Sequence, residues 1–233
     1  MSGNATLWLS AAGHNVNAIY EYALANWPRI AALTGQHAWL VSASVGCAVL
    51  VGVPLGVLAA RYKWLSGGLL GLATVVLTIP SIALFGLMIP VLSIYGLGIG
   101  AAPALVTVFL YALLPIMRNT CLALRQIDAS IREAGVGIGM TFGQRLRLVD
   151  LPLAVPVILG GVRTAVVMNI GVMAIGAVVG AGGLGVLILR GINQSDIRQL
   201  VVGAIMVSVL AVVADTVLHR LQRVLTPKGI RTP

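Results

Sequence analysis

From His37 to Ala60 the chain runs without a single Asp, Glu, Lys or Arg, and four more stretches of the same character follow. They are Gly67 to Leu92, Ala101 to Met117, Pro156 to Val179 and Leu200 to His219, and only Arg163 and Asp215 interrupt them. A hydrocarbon core is spanned by about 20 apolar residues at 1.5 Å rise each, and Ala101 to Met117 is the one run that is short by that measure. In lipid every backbone N–H and C=O must be satisfied within the protein, so such runs are helices. Pro54, Pro80, Pro90 and Pro115 lie inside them and are tolerable where neighbouring helices take up the freed groups. The expectation is an all-α, polytopic membrane protein with five transmembrane helices. Charged residues make up 9% of the chain, against about 25% in a soluble domain. The expected division is an arm over 1–36, a membrane domain over 37–223 and a tail over 224–233. In the arm, Trp8, Tyr20, Tyr22 and Trp27 suit an amphipathic segment at the membrane interface or a loosely ordered arm. The first residues lack a basic start followed by a short apolar core, so no cleavable signal is expected.

The basic residues orient these spans. With five spans, Arg61, Lys63, Arg118, Arg125, Arg132, Arg145, Arg147, Arg220, Arg223, Lys228 and Arg231 fall on one side. Only Arg29, Arg190 and Arg198 fall on the other. The positive-inside rule places the larger group in the cytoplasm, the N-terminus outside and the C-terminus inside. The net charge of +9 therefore needs no nucleic acid to explain it. Cys47 lies in an apolar run and Cys121 beside a basic loop, which reads as free thiols.

One segment on the basic side carries its own chemistry. Residues 130–152 hold Arg132, Glu133, Arg145, Arg147 and Asp150 between almost uncharged flanks. Ser130-Ile131-Arg132-Glu133 has the form of a capping box, and Thr141-Phe142-Gly143-Gln144 has it again. Gly139 between them suits a helix end in a left-handed conformation. The reading is two short helices with a bend, the second closed by Arg145 and Arg147 at its negative end and stopped by Pro152.

Glu133-Ala134-Gly135, then Gly139, then Val149-Asp150-Leu151-Pro152 resembles the EAA loop of binding-protein-dependent ABC importer permeases. Glu133, Ala134, Gly139, Leu151 and Pro152 match that pattern in register, while Gly135 and Val149 depart from it. The resemblance implies a methionine-importer-like permease fold whose cytoplasmic coupling helix docks on a separate ATPase. Glu133, Ala134, Gly139, Thr141, Arg145, Leu151 and Pro152 are its coupling residues. Thr78-Ile79-Pro80-Ser81, Tyr111 to Ile116, Arg118-Asn119-Thr120 and Gly160 to Thr164 are similar to osmoprotectant importers, those for glycine betaine, choline or carnitine. Importers of methionine, phosphonate or sulfonate share much of that pattern and stay open as alternatives. The implied partners are a second permease, identical or homologous, an ATPase dimer carrying ATP and Mg, an extracytoplasmic solute receptor and the lipid bilayer. The implied place is a bacterial or archaeal cytoplasmic membrane.

Gly180-Ala181-Gly182-Gly183-Leu184-Gly185 is too glycine-rich for a regular lipid-facing helix. With the resemblance in hand, Gly180, Gly182, Gly183 and Gly185 are expected to form an outer gate, and Thr78, Pro80 and Ser81 to line the path. The plain alternative is a flexible external loop. Arg163 and Asp215 are expected either to pair within the bundle or to snorkel to its edge. His37 and His219, at span ends, read as interfacial. Neither Lys63 nor Lys228 can close a phosphate loop, no His-Glu-x-x-His or Gly-x-Ser-x-Gly is present, and no metal set surrounds His14. The chain is thus expected to be a transport subunit without cofactor or catalytic residues of its own. An ion-driven transporter would need polar coupling residues near the midplane and internal repeats, and only Asp215 fits.

Overall fold

The computed structural model describes residues 16–225. Residues 1–15 and 226–233 lie outside it, and with them the first 15 residues of the expected arm and most of the expected tail. The described residues are helical almost throughout: α1 (16–25), α2 (Trp27–Arg61), α3 (Lys63–Thr78), α4 (Ser81–Ser93), α5 (Ala101–Arg125), α6 (Ala129–Gly137), α7 (Phe142–Arg145), α8 (Leu151–Ile175), α9 (Gly185–Asn193) and α10 (Ile197–Leu225). Four of these stretches are long and apolar enough to cross a membrane, and α3 with α4 makes a fifth span if the bent pair is counted as one.

Each span departs from its apolar run for a local reason. α2 begins at Trp27, well before His37, because Pro28 in its first turn gives up only an N–H that has no helical partner there. The run from Gly67 to Leu92 is not one helix. It bends by 102° between α3 and α4. Pro80 forces the preceding residue out of the helical region, and Ile79 is extended at φ −67°, ψ 129°. The Tyr111 hydroxyl of α5 donates to the Ile79 carbonyl that the break sets free. α5 continues past Met117 to Arg125, where the apolar run had ended but the helix had not.

The largest correction concerns Pro152. It does not stop a helix. The chain runs helically from Phe142 to Val179, through α7, a π-helical turn at Leu146–Asp150, α8 and a 3-10 turn at Gly176–Val179. Proline removes one N–H and crowds the preceding turn. The wide turn before it absorbs that cost, with the Leu151 N–H bonded back to the Leu146 carbonyl. Arg145 and Arg147 therefore sit inside a continuous helical run and not at its negative end.

α5 is the centre of the bundle. Half of its apolar window is buried, against 11% for α10, which leaves most of α10 facing outward. The core joins Leu40 and Val45 of α2, Phe85 of α4, Val108 and Ile116 of α5, and Met173 of α8. Small residues let the backbones approach, as is usual between membrane helices. A Cβ on Gly56 would lie 2.6 Å from Thr120 Cβ, and one on Gly161 would lie 2.6 Å from Asn119 Cβ.

The bundle has two chemically distinct ends. At one, Gly100 N–H donates to the Val179 carbonyl at 2.8 Å, and Gln36 reaches the loop after Val179. α1 joins this end through Ile19, Tyr22 and Ala23, which pack against Ile30, Leu184, Leu187 and Val202. At the other end Arg125 donates to the Ala59 carbonyl and Gln222 to the Pro156 carbonyl, both at 2.8 Å. The spans alternate between these ends, so α6 and α7 share theirs with Arg61 and with the close of α10.

Candidate functional site

Two sites stand at opposite ends of α8. The first is the hairpin of α6 and α7. Its first cap differs from the expectation: Asp128, not Ser130, holds the N-terminal position, and its carboxylate accepts the Ser130 N–H at 2.9 Å. That bond holds the Asp128 carboxyl below the usual carboxylate range. Glu133 is consequently no cap partner and lies exposed beside exposed Ala134. α6 ends as expected near Gly139, whose φ of +82° is left-handed. The Gly139 N–H returns to the Val136 carbonyl and the Met140 N–H to the Gly135 carbonyl, at 2.9 and 3.0 Å. The second cap forms as the residues suggest. Thr141 Oγ1 accepts the Gln144 N–H, and Gln144 Oε1 accepts the Thr141 N–H.

The hairpin is tied to the bundle by arginines. Arg145 Nε donates to Asp150 Oδ2 at 3.2 Å across the π-turn. Arg132 donates to the Leu124 carbonyl at the end of α5. The Arg61 guanidinium lies 4.0 Å over the Phe142 ring, a cation–π contact from α2. Gly135 packs against Arg145, where a Cβ would meet Cδ at 3.2 Å. On the outer side Val136, Ile138 and Leu148 are 60%, 75% and 64% exposed. Leu151 is half-buried and Pro152 exposed.

The second site is the glycine loop between the 3-10 turn and α9. Gly180, Gly182 and Gly183 take φ of +82°, +84° and +71°, conformations that other residues rarely hold. Gly185 opens α9 so close to the Ala174 carbonyl that any Cβ would collide with it. Two side chains of α2 hold the loop. Gln36 Oε1 accepts the Gly183 N–H at 3.0 Å, and Gln36 Nε2 donates to the Ala181 carbonyl at 3.3 Å. His37 Nδ1 accepts the Leu184 N–H at 3.3 Å while Nε2 donates to the Ile170 carbonyl at 3.0 Å. A carbonyl only accepts, so this pattern is that of one neutral tautomer. His37 is fully buried and is not an interfacial residue. The expectation missed this clamp, whose only trace in the sequence is an adjacent pair of polar side chains at the head of an apolar run.

The remaining candidates separate. Thr78, Pro80 and Ser81 form the α3–α4 bend and meet α5 through Tyr111, whereas the glycine loop meets α2 and the Ile99–Gly100 turn. Thr78 Oγ1 bonds back to the Val75 carbonyl at 2.7 Å. Arg163 of α8 and Asp215 of α10 are joined by two hydrogen bonds, one of them Nη2 to Oδ2 at 2.6 Å. His219 Nδ1 lies 3.1 Å from Arg163 Nη1, so this histidine also belongs to the bundle. Both members of the pair are about one-third exposed, and a groove of about 480 Å³ opens beside them. Among the described residues no group of three or more His, Cys, Asp or Glu is placed to hold a metal ion.

Comparison with known proteins gives a consistent answer. Residues 52–230 match the family described as binding-protein-dependent transport system inner membrane component. The chain is 64% identical over 211 residues to the osmoprotectant import permease protein OsmW of Salmonella typhimurium, covering 91% of this chain and 98% of that one. It is 38% identical over 198 residues to the glycine betaine/carnitine/choline transport system permease protein OpuCB of Bacillus subtilis, covering 85% and 89%. Among solved structures it is similar to the inward-facing MetNI methionine ABC transporter, at a TM-score of 0.74 and 26% identity, covering 85% and 96% of the two chains.

Proposed function

The chain belongs to the family of binding-protein-dependent transport system inner membrane components, and on that premise we propose that it is the membrane subunit of an ABC importer for a small osmoprotectant. Glycine betaine, choline and carnitine are the solutes its relatives point to. One observation carries the substrate class: the likeness to an osmoprotectant import permease runs the length of both chains at 64% identity. The chain's own role is transport, and ATP is hydrolysed by a separate subunit.

The α6–α7 hairpin is the coupling element. Val136, Ile138 and Leu148 present exposed apolar side chains on an otherwise charged segment, a surface suited to an ATPase groove. Two such hairpins, one from each permease of a dimer, engage two ATPases. The Arg61 end is cytoplasmic, which the bias of Lys and Arg supports. The Gly180–Gly185 loop then lies at the outer end and acts as the gate, and Gln36 and His37 hold it shut. A loaded receptor at the outer face and ATP at the inner face each favour one of two arrangements of the bundle. Opening exchanges the hydrogen bonds of Gln36 and His37 for others, while α8 links the gate to the hairpin as one helical run.

The test is uptake by the permease reconstituted with its ATPase and receptor. Labelled glycine betaine, choline and carnitine are offered beside methionine and a sulfonate. The expected result is ATP-dependent, receptor-dependent uptake of a quaternary ammonium solute. Uptake confined to methionine or the sulfonate overturns the substrate class, and uptake without ATPase overturns the importer assignment. Orientation is read from Ile138→Cys, which a membrane-impermeant thiol reagent should reach only from the cytoplasmic side. Cys121 cannot report this, because it is 3% exposed.

A further inference from the structure

At the Arg61 end a cavity of about 250 Å³ opens between the bundle and the hairpin, and docking on an ATPase leaves its chemistry unexplained. It is lined by Val57 and Arg61 of α2, Arg132 of α6, Phe142 and Arg145 of α7, and Asp150 of the π-turn. Three guanidinium groups meet one carboxylate. Arg145 takes Asp150 Oδ2, and among the described residues Arg61 and Arg132 have no carboxylate partner. Two lining atoms are buried without a hydrogen-bond partner: Arg132 Nε, a donor, and Asp150 Oδ1, an acceptor. The Asp150 side chain is only 7% exposed. Buried polar atoms in folded proteins are nearly always paired, and charged ones suffer most when they are not.

The cavity thus asks for two things. Its arginines ask for an anionic group such as a phosphate, and its orphan carboxylate oxygen asks, at a distance of a few ångströms, for a donor, best a charged one. Its depth narrows the source. Tyr62 and Trp64 directly follow Arg61 and are 39% and 80% exposed, and such aromatic side chains favour the level of lipid headgroups.

We propose that this cavity binds the headgroup of a phosphatidylethanolamine-class lipid. The phosphate takes Arg61 and Arg132, and the primary ammonium donates to Asp150 Oδ1. The bound lipid joins α2 to the hairpin, so that the hairpin's position depends on the membrane around it. The site is a property of the fold and stands whether or not the hairpin couples to an ATPase.

The chemistry separates three lipids cleanly. Phosphatidylcholine offers the same phosphate but no N–H or O–H donor, and phosphatidylglycerol offers hydroxyl donors, which pair with a carboxylate more weakly than a charged ammonium does. The permease–ATPase complex is placed in nanodiscs with equal parts of the three, loosely held lipid is removed with detergent, and retained lipid is read by native mass spectrometry. Phosphatidylethanolamine should be retained about fivefold or more over phosphatidylcholine and phosphatidylglycerol. Asp150→Asn should bring phosphatidylethanolamine and phosphatidylcholine to equal retention. Arg61→Gln removes a phosphate ligand together with the Arg61–Phe142 contact, so it is compared with Phe142→Leu, which removes the contact alone; only Arg61→Gln should lower retention of all three. Equal retention of the three lipids by the unaltered complex overturns the proposal, as does retention of none. Displacement of the lipid by millimolar inorganic phosphate overturns the headgroup assignment in favour of a free anion.

Discussion

The hairpin and the glycine loop lie at opposite ends of α8, and they are held in opposite ways. The hairpin is secured by caps between residues two or three positions apart, Asp128 with Ser130 and Thr141 with Gln144. Its glycine at position 139 sits in open space, with nothing within 4 Å of where a Cβ would be. The loop has no side-chain cap of its own; its local bonds are backbone turns, Gly180 N–H to the Ala177 carbonyl and Ala181 N–H to the Gly176 carbonyl, both at 3.1 Å. Gly182 is crowded by Gln36 and Gly183 by His37, side chains whose hydrogen bonds to the loop span 145 to 147 positions in the chain. A hairpin that carries its own caps keeps its shape while it moves as a body. A loop whose middle is held by side chains of a distant helix changes shape when that helix moves. The first suits a lever and the second suits a gate.

Gly183→Val should break this comparison at its stronger side. A branched residue at φ +71° is strained by about 1–2 kcal/mol before any contact is counted. Its Cβ would also lie 2.9 Å from His37 Nδ1 and 3.2 Å from His37 Cβ, which cannot swing aside as a side-chain end can. Uptake should fall by about tenfold or more, while the permease still assembles with its ATPase. Wild-type uptake by this variant removes the gate.

Gly139→Val comes next, because it meets the strain without the collision. It should still insert in the membrane, and receptor-stimulated ATP hydrolysis and uptake should drop together, each by several-fold for about 1–2 kcal/mol of strain. The contrast sharpens with asparagine, which tolerates the left-handed region. Gly139→Asn should recover most of the activity, because there is room for it. Gly183→Asn should not, because His37 is in the way. Full receptor-stimulated hydrolysis and transport by Gly139→Val means the hairpin is not the coupling element.

These differences also explain what could be read in the residues beforehand. The Thr141–Gln144 cap and the left-handed Gly139 are short-range features, and the apolar runs gave five spans when the bent α3–α4 pair counts as one. The bend at Pro80 was present as a proline, but the partner of the carbonyl it frees, the donating hydroxyl of Tyr111, lies on another helix. Pro152 was misread because a proline ends a helix only where nothing absorbs it, and a π-turn did so here. Ser130 lost its place to Asp128 because both fit the position and only the geometry chooses between them. Gln36 and His37 were invisible as a clamp because their partners are backbone atoms on another span, and backbone atoms leave no mark in the sequence.

Gln36→Ala tests the clamp with a smaller push. It removes two hydrogen bonds, each with a net worth of about 1 kcal/mol, and leaves the glycines unstrained. The gate should open too readily rather than fail to open. Basal hydrolysis without receptor should rise about two- to fivefold, and the further stimulation by loaded receptor should shrink. A variant with unchanged basal hydrolysis would assign the loop's closure to His37 and the glycines alone.

The smallest effect belongs to Asp128, at the edge of the hairpin. Its carboxylate accepts the Ser130 N–H, and this bond lowers its pKa in the folded protein. A group with a depressed folded pKa contributes stability above its unfolded pKa, about 3.9, and loses it as the pH falls through the folded value. At pH 7 the cap is therefore fully present, and it fades only in the acid range. Asparagine caps almost as well without titrating, whereas alanine does not cap. In hydrogen exchange of the 129–137 amides at pH 7, Asp128→Asn should match the unaltered chain and Asp128→Ala should exchange faster. Below about pH 4 the unaltered chain should approach the alanine variant while the asparagine variant keeps its protection. Transport at pH 7 should change little in either, because Thr141 and Gln144 still order the half of the hairpin that joins α8. If Asp128→Ala instead abolishes coupling, the two caps are not independent, and the hairpin is as dependent on a single contact as the glycine loop is on Gln36.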